Sequence, residues 1–148
     1  MNNVLYFFKT EEWSIHKDIM KTVNNKEIVL QFIEALNNAD IEKIANMMAD
    51  DHVFIDSGVG KYTGKETMKQ GWIAYFDMFP DYKIEAVDIT QNDSTVGVFG
   101  YASGSFKGNK NKHFRIPASW KAVVKKGKIK HWQVYCETKE IEKILERE

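Results

Sequence analysis

The run DIEKIANMMADDHVFIDSGVGKYTGKETMKQGWIAYFDMFPDY, residues 40–82, decides the fold class. It reads as helix, strand and helix, in that order. Asp40 stands in N-cap position before Ile41, Ile44, Ala45 and Met48, the spacing of a short amphipathic helix. His52 to Ser57 is a β-prone run between Asp50-Asp51 and Gly58, which predicts a strand. Thr63 and Glu66 have the spacing of a capping box. Behind them Met68, Trp72, Tyr75, Phe76 and Phe79 form the apolar stripe of a further helix, which Pro80 stops.

On the N-terminal side, Asn24 and Glu27 predict another helix start. Its stripe is Ile28, Val29, Phe32, Ile33 and Leu36, ended by Asn37 and Asn38. Residues 1–23 form an extension, with a helix expected over 11–22 on a ragged pattern of Trp13, Ile15 and Ile19. On the C-terminal side, β-prone runs predict four strands, at 82–90, 95–106, 112–125 and 128–137. Their separators are turn-forming: Gln91 to Ser94, Gly108 to Asn111 and Lys126-Gly127, the last two read as hairpin turns. A final helix over 139–146 uses Ile141, Ile144 and Leu145. Helices followed by a meander define an α+β class and one domain over 24–148. The expected form is a cone-shaped α+β roll of the cystatin kind. A curved antiparallel or mixed sheet wraps around the N-terminal helices and leaves a cavity at its open end.

Composition narrows the function classes. With 43% hydrophobic residues and two prolines in 148, the chain is neither disordered nor of low complexity. No apolar run approaches the ~20 residues that cross a bilayer, and the opening Val4 to Phe8 run is too short for a signal-peptide core. Cys136 is the single cysteine, so no internal disulfide forms and a cytoplasmic location is expected. Zero net charge argues against nucleic-acid binding. That zero hides an asymmetry: residues 1–93 carry 16 acidic and nine basic side chains, whereas 94–136 carry nine basic ones and no carboxylate. These lysines either attract an anionic ligand or simply occupy solvent-facing strand and turn positions.

The run 40–82, with the ending GKIKHWQVYCE at 127–137, resembles the nuclear transport factor 2-like superfamily, and within it the SnoaL-like polyketide cyclase group. The resemblance spans about residues 24–138 and implies the cone fold. It leaves activity open, because the scaffold hosts isomerases, cyclases, hydrolases and binders. In the similar ketosteroid isomerases a proton-abstracting aspartate stands where Asp56 is. The two oxyanion donors of those enzymes fall at Phe32 and near Trp120, so true ketosteroid isomerization is not expected. Limonene-epoxide hydrolase-like enzymes use an Asp-Arg-Asp relay. One of its acids falls at Val134, and Arg115 is followed by Ile116 and Pro117, so that relay is not expected either.

Asp56 is the candidate catalytic residue. It ends an apolar strand on the face of His52 and Phe54, where desolvation strengthens a carboxylate as a base. The alternative is an aspartate that accepts hydrogen bonds from its own glycine-rich turn. The expected pocket lining is Phe32, His52, Phe54, Trp72, Tyr75, Trp120, Trp132 and Val134. Parity places Trp132, Val134 and Cys136 on the inner face of the last strand, and His131, Gln133 and Tyr135 on the outer one. The Cys136 thiol reads as a small hydrophobe. No histidine pair has metal-ligand spacing on a helix, and His52 and Asp56 lie ~13 Å apart along a strand, so neither metal nor cofactor is expected. Two readings follow. One is a cofactor-free isomerase or cyclase acting on an apolar carbonyl compound. The other is a non-catalytic module for a small hydrophobic ligand or a protein. A homodimer through the outer sheet face is expected; neither nucleic acid nor membrane is an expected partner.

Overall fold

The computed structural model describes residues 25–58 and 60–146. The helix expected over 11–22 and the Asn24 cap lie outside them. Helix α1 covers residues 25–37 and buries Val29, Phe32, Ile33 and Leu36, the stripe read from the sequence. At its end the Asn37 side chain acts as a strand would: its Nδ2 donates to Ile84 O (2.9 Å) and its Oδ1 accepts from Ile84 N (2.7 Å). Helix α2 (Ile41–Met47) follows, with Asp40 accepting from Lys43 N at 3.2 Å as its cap.

Strand β1 (Met48–Ile55) and β2 (Lys61–Thr63) form a hairpin, and helix α3 (Lys65–Met78) leads out of it. Here the expected capping box is absent. Thr63 is committed to pairing with Val53, and Gly64, at φ 105°, occupies the N-cap without a side-chain bond. Strands β3 (Lys83–Asn92), β4 (Thr95–Ser105), β5 (His113–Lys125) and β6 (Lys128–Cys136) then form an antiparallel meander. Helix α4 (Lys139–Glu146) closes the described chain. The sheet order is β2-β1-β6-β5-β4-β3, with β1 parallel to β6 and every other pair antiparallel.

Two of the three turns differ from the expected ones. Lys126-Gly127 is a two-residue hairpin with both residues at positive φ. The β3–β4 turn tightens to Asp93-Ser94, whereas β4 and β5 are joined by two short 3-10 turns, Phe106–Gly108 and Lys110–Lys112. Asp81 pins this wider connection by accepting from Ser105 N (2.6 Å) and Lys110 Nζ (2.7 Å). Desolvation raises the Asp81 carboxyl, but those two donors prevail and hold it at about 2.

The sheet curves where β3 carries an extra residue. The register between β3 and β4 shifts between Ala86 and Asp88, leaving Val87 unpaired opposite Gly100. A Cβ at position 100 would lie 1.8 Å from Glu85 O, so only glycine fits there. Curvature turns the alternating Phe114, Ile116, Ala118, Trp120, Ala122 and Val124 of β5 inward, and all six are buried. Phe32 of α1 meets Trp132 of β6 edge to face at 5.1 Å. Helix α1 packs against the inner face of the sheet at one end of the cone, and the other end stays open.

Candidate functional site

A cavity of about 760 Å³ occupies that open end, within the range of small-molecule sites. Helix α3 supplies one wall with Met68, Trp72, Tyr75 and Met78. The inner sheet face supplies the other with Phe54, Ile116, Trp120, Trp132, Val134 and Cys136. At the mouth stand the Asp56–Gly60 turn, Tyr62 of β2 and, from α4, Ile141 and Glu142. The walls are largely aromatic. Trp72 lies 5.9 Å from Phe54 and 5.9 Å from Tyr75, Tyr75 meets Tyr82 at 5.0 Å, and Trp120 stacks on Trp132 at 6.4 Å.

Asp56 takes the turn-bonded arrangement and also stands on the cavity wall. Its Oδ1 accepts from Gly58 N (2.9 Å) and Gly60 N (2.8 Å) while its own N–H donates to Gly60 O (3.0 Å). The turn therefore sets the carboxylate's orientation, with no described side chain hydrogen-bonded to Oδ2. Cys136 is half-buried on the same wall, its thiol donating to Ser57 Oγ at 3.5 Å. Burial pushes the Tyr75 phenol well above its ordinary range, and the neighbouring Cys136 adds to the effect. Burial likewise raises Tyr82, with Tyr75 and Cys136 contributing. Both are hydroxyl donors at neutral pH.

Six of the eight expected lining residues are on the cavity wall: Phe54, Trp72, Tyr75, Trp120, Trp132 and Val134. Phe32 and His52 are not. Phe32 is fully buried in the core against Trp132. His52 is also fully buried, in the part of β1 where the register against β6 shifts between Met48 and Val53, and it is not on the cavity wall. Its Nδ1 lies 2.7 Å from Ile129 O, and its Nε2 has no partner among the described residues. The sequence reading missed Tyr62, on a strand too short for periodicity to show. It also missed Tyr82 at the end of the α3–β3 loop, and the closing role of α4. Among the described residues no three His, Cys, Asp or Glu side chains group as metal ligands.

The basic stretch stays out of the site. Lys107, Lys110, Arg115 and Lys130 pair with Asp77, Asp81, Glu85 and Asp51, and Lys121, Lys125, Lys126 and Lys128 are exposed. No helix among the described residues is long and apolar enough to cross a membrane.

An α+β cone closed at one end by helices and holding an apolar cavity at the other defines the nuclear transport factor 2-like class. Residues 29–132 match the SnoaL-like domain, and the chain belongs to that family. Solved structures agree on the fold. A candidate polyketide cyclase of Xanthomonas campestris pv. campestris superposes with a TM-score of 0.74 at 17% identity, covering 82% of this chain and 96% of its own. A limonene-epoxide-hydrolase-like epoxide hydrolase of M. tuberculosis gives 0.73 at 17% identity, covering 85% and 92%. A nuclear transport factor 2-like protein of Burkholderia xenovorans LB400 gives 0.69 at 22% identity, covering 83% and 96%. At these identities the likeness establishes the fold alone. A search of the curated proteins finds none that matches.

Proposed function

We propose that this chain binds a small, mainly apolar carbonyl compound in the cavity and that Asp56 abstracts a proton next to the carbonyl. The chemistry is a cofactor-free isomerization or cyclization. The observation that carries this reading is the placement of Asp56: a carboxylate on the wall of an apolar cavity, its Oδ1 held by two N–H groups. A base acts best when its geometry is fixed beforehand. Trp120, Tyr75 and Tyr82 line the same cavity and offer N–H and O–H donors to an oxyanion that develops on the carbonyl oxygen. Epoxide opening by an Asp-Arg-Asp relay fits less well. Val134 lines the wall where an acid is needed, and Arg115 pairs with Glu85 (2.8 Å) and covers the Tyr101 ring outside the cavity.

Proton abstraction is read directly as exchange of a ketone's α-protons in D₂O by NMR, with 4′-tert-butylacetophenone as probe. Asp56→Asn should slow the exchange by at least about 100-fold with ketone binding retained. Equal exchange rates in the two proteins, with the ketone bound to both, would overturn the catalytic reading. A non-catalytic binding module would then be the function the cavity supports.

A further inference from the structure

Taking the cavity as a ligand site, the reading on which this step rests, we infer that its ligand carries a positively charged amine beside the apolar body. Among the described residues no lysine, arginine or histidine lines the cavity, yet two carboxylates do: Asp56 from the β1–β2 turn and Glu142 from α4. Neither is ion-paired to any described residue, so no protein cation competes for them. Glu142 accepts only a hydroxyl, that of Thr138, at 2.6 Å. An anionic ligand would meet the negative charges of half-buried Asp56 and of Glu142 at the exposed edge of the cavity.

The rest of the lining favours a cation for a different reason. Phe54, Tyr62, Trp72, Tyr75, Trp120 and Trp132 surround the space with aromatic rings. Ring faces carry negative quadrupole density and attract ammonium groups, tryptophan most strongly. A bare metal ion is not the cation these walls suit, since no three metal-ligating side chains converge among the described residues. An organic ammonium needs no such convergence. It takes its stabilisation from diffuse charge and π faces, and its methyl or methylene groups bury against the same rings. Glu142 sits at the mouth on the last helix and anchors the ammonium. Asp56 remains the base at the carbonyl end of the same molecule.

Three ketones of matched shape separate the possibilities: 4-acetyl-N,N,N-trimethylanilinium, its uncharged isostere 4′-tert-butylacetophenone, and the anionic 4-acetylbenzoate. Binding is followed by quenching of tryptophan fluorescence, since Trp72, Trp120 and Trp132 all line the cavity. The ammonium ketone should bind about tenfold more tightly than the tert-butyl ketone, and the benzoate most weakly. In Glu142→Gln, which keeps an acceptor for Thr138, that preference should shrink severalfold. Raising the salt concentration on the unaltered protein should shrink it in the same direction, a readout that requires no variant. Equal or tighter binding of the tert-butyl ketone, or a preference untouched by both Glu142→Gln and salt, overturns the inference and leaves the cavity reading standing. Failure of all three ketones to bind overturns both.

Discussion

Gly60 shows how closely one residue is bound to the site. Its φ is not in the left-handed region, so alanine would suit its backbone, but not its surroundings. A Cβ there would lie 2.5 Å from Asp56 Oδ2, 3.1 Å from Asp56 Cγ and 3.1 Å from Tyr62 Cε2. The carboxylate would have to swing away and give up the bonds from Gly58 N and Gly60 N. Gly60→Ala should therefore destabilise the protein by about 1–2 kcal/mol, the loss of charge-assisted hydrogen bonds at a partly exposed site. On the proposed chemistry it should also slow α-proton exchange nearly as far as Asp56→Asn does. Urea melts and the NMR exchange rate check both parts, and an unchanged exchange rate would mean that the carboxylate does not need this turn. At Gly58 the added Cβ meets Oδ1 at an ordinary 3.5 Å, so Gly58→Ala should cost less.

Among the elements, β1 has the most irregular partnership. Its pairing with β6 is the one parallel pair among the described strands, and its register there slips between Met48 and Val53. His52 fills the slip with its ring buried and Nδ1 against Ile129 O, which places the ring proton on Nδ1. Burial lowers its pKa below the ordinary 6.5; the carbonyl of Ile129 and the Asp51 charge oppose this, while His131 and Lys130 add to it. The sign follows. Below pH 6.5 the unfolded chain takes up a proton that the native ring resists, so stability falls as pH falls through that window and levels off below the folded pKa. The slope from this group is at most about 1.4 kcal/mol per pH unit. Denaturant melts at pH 8 and pH 5.5 should show a loss that His52→Asn, which can still donate to Ile129 O, reduces. If the variant loses as much as the unaltered protein, His52 is not the titrating group. Bounds of β3 to β6 were legible in the sequence to within two residues because turn-forming residues separate them, and α4 because Ile141, Ile144 and Leu145 keep a helical spacing. Period 2 gives a face but not a depth, so it cannot separate His52, fully buried, from Phe54, on the cavity wall. β2 offered three residues, too few for any period, and Thr63 resembled a cap because its spacing to Glu66 carries no record of the strand that claims it.

For the whole molecule, the open question is the outer sheet face. Inward, every position of β5 from Phe114 to Val124 that faces the helices is buried; outward, Phe99 is 48% and Tyr135 49% exposed, flanking Ser119 in one cross-strand row. Pro117, next to that row, has no N–H to offer water, and the charges lie at the edge: Asp88 at the end of the row beside Phe99, the Arg115–Glu85 pair and Lys121. Aromatic residues at the centre of a patch with charge at its edge are the composition of an interface core and rim. A second copy of this chain is the occupant we propose, because a two-fold axis through an uncharged centre sets Phe99 and Tyr135 against their own equivalents without opposing like charges. The cavity is lined by the opposite, inner face of the sheet, and neither Phe99 nor Tyr135 lines it. Light scattering coupled to gel filtration should give twice the 17.2 kDa chain mass, and Tyr135→Glu, which sets like charges across the axis, should return it to the single-chain value. α-Proton exchange per chain should survive that change, since Tyr135 projects away from Asp56 and the rings of the cavity. A single-chain mass for the unaltered protein at tens of micromolar would refute the dimer and leave this face as exposed aromatic surface.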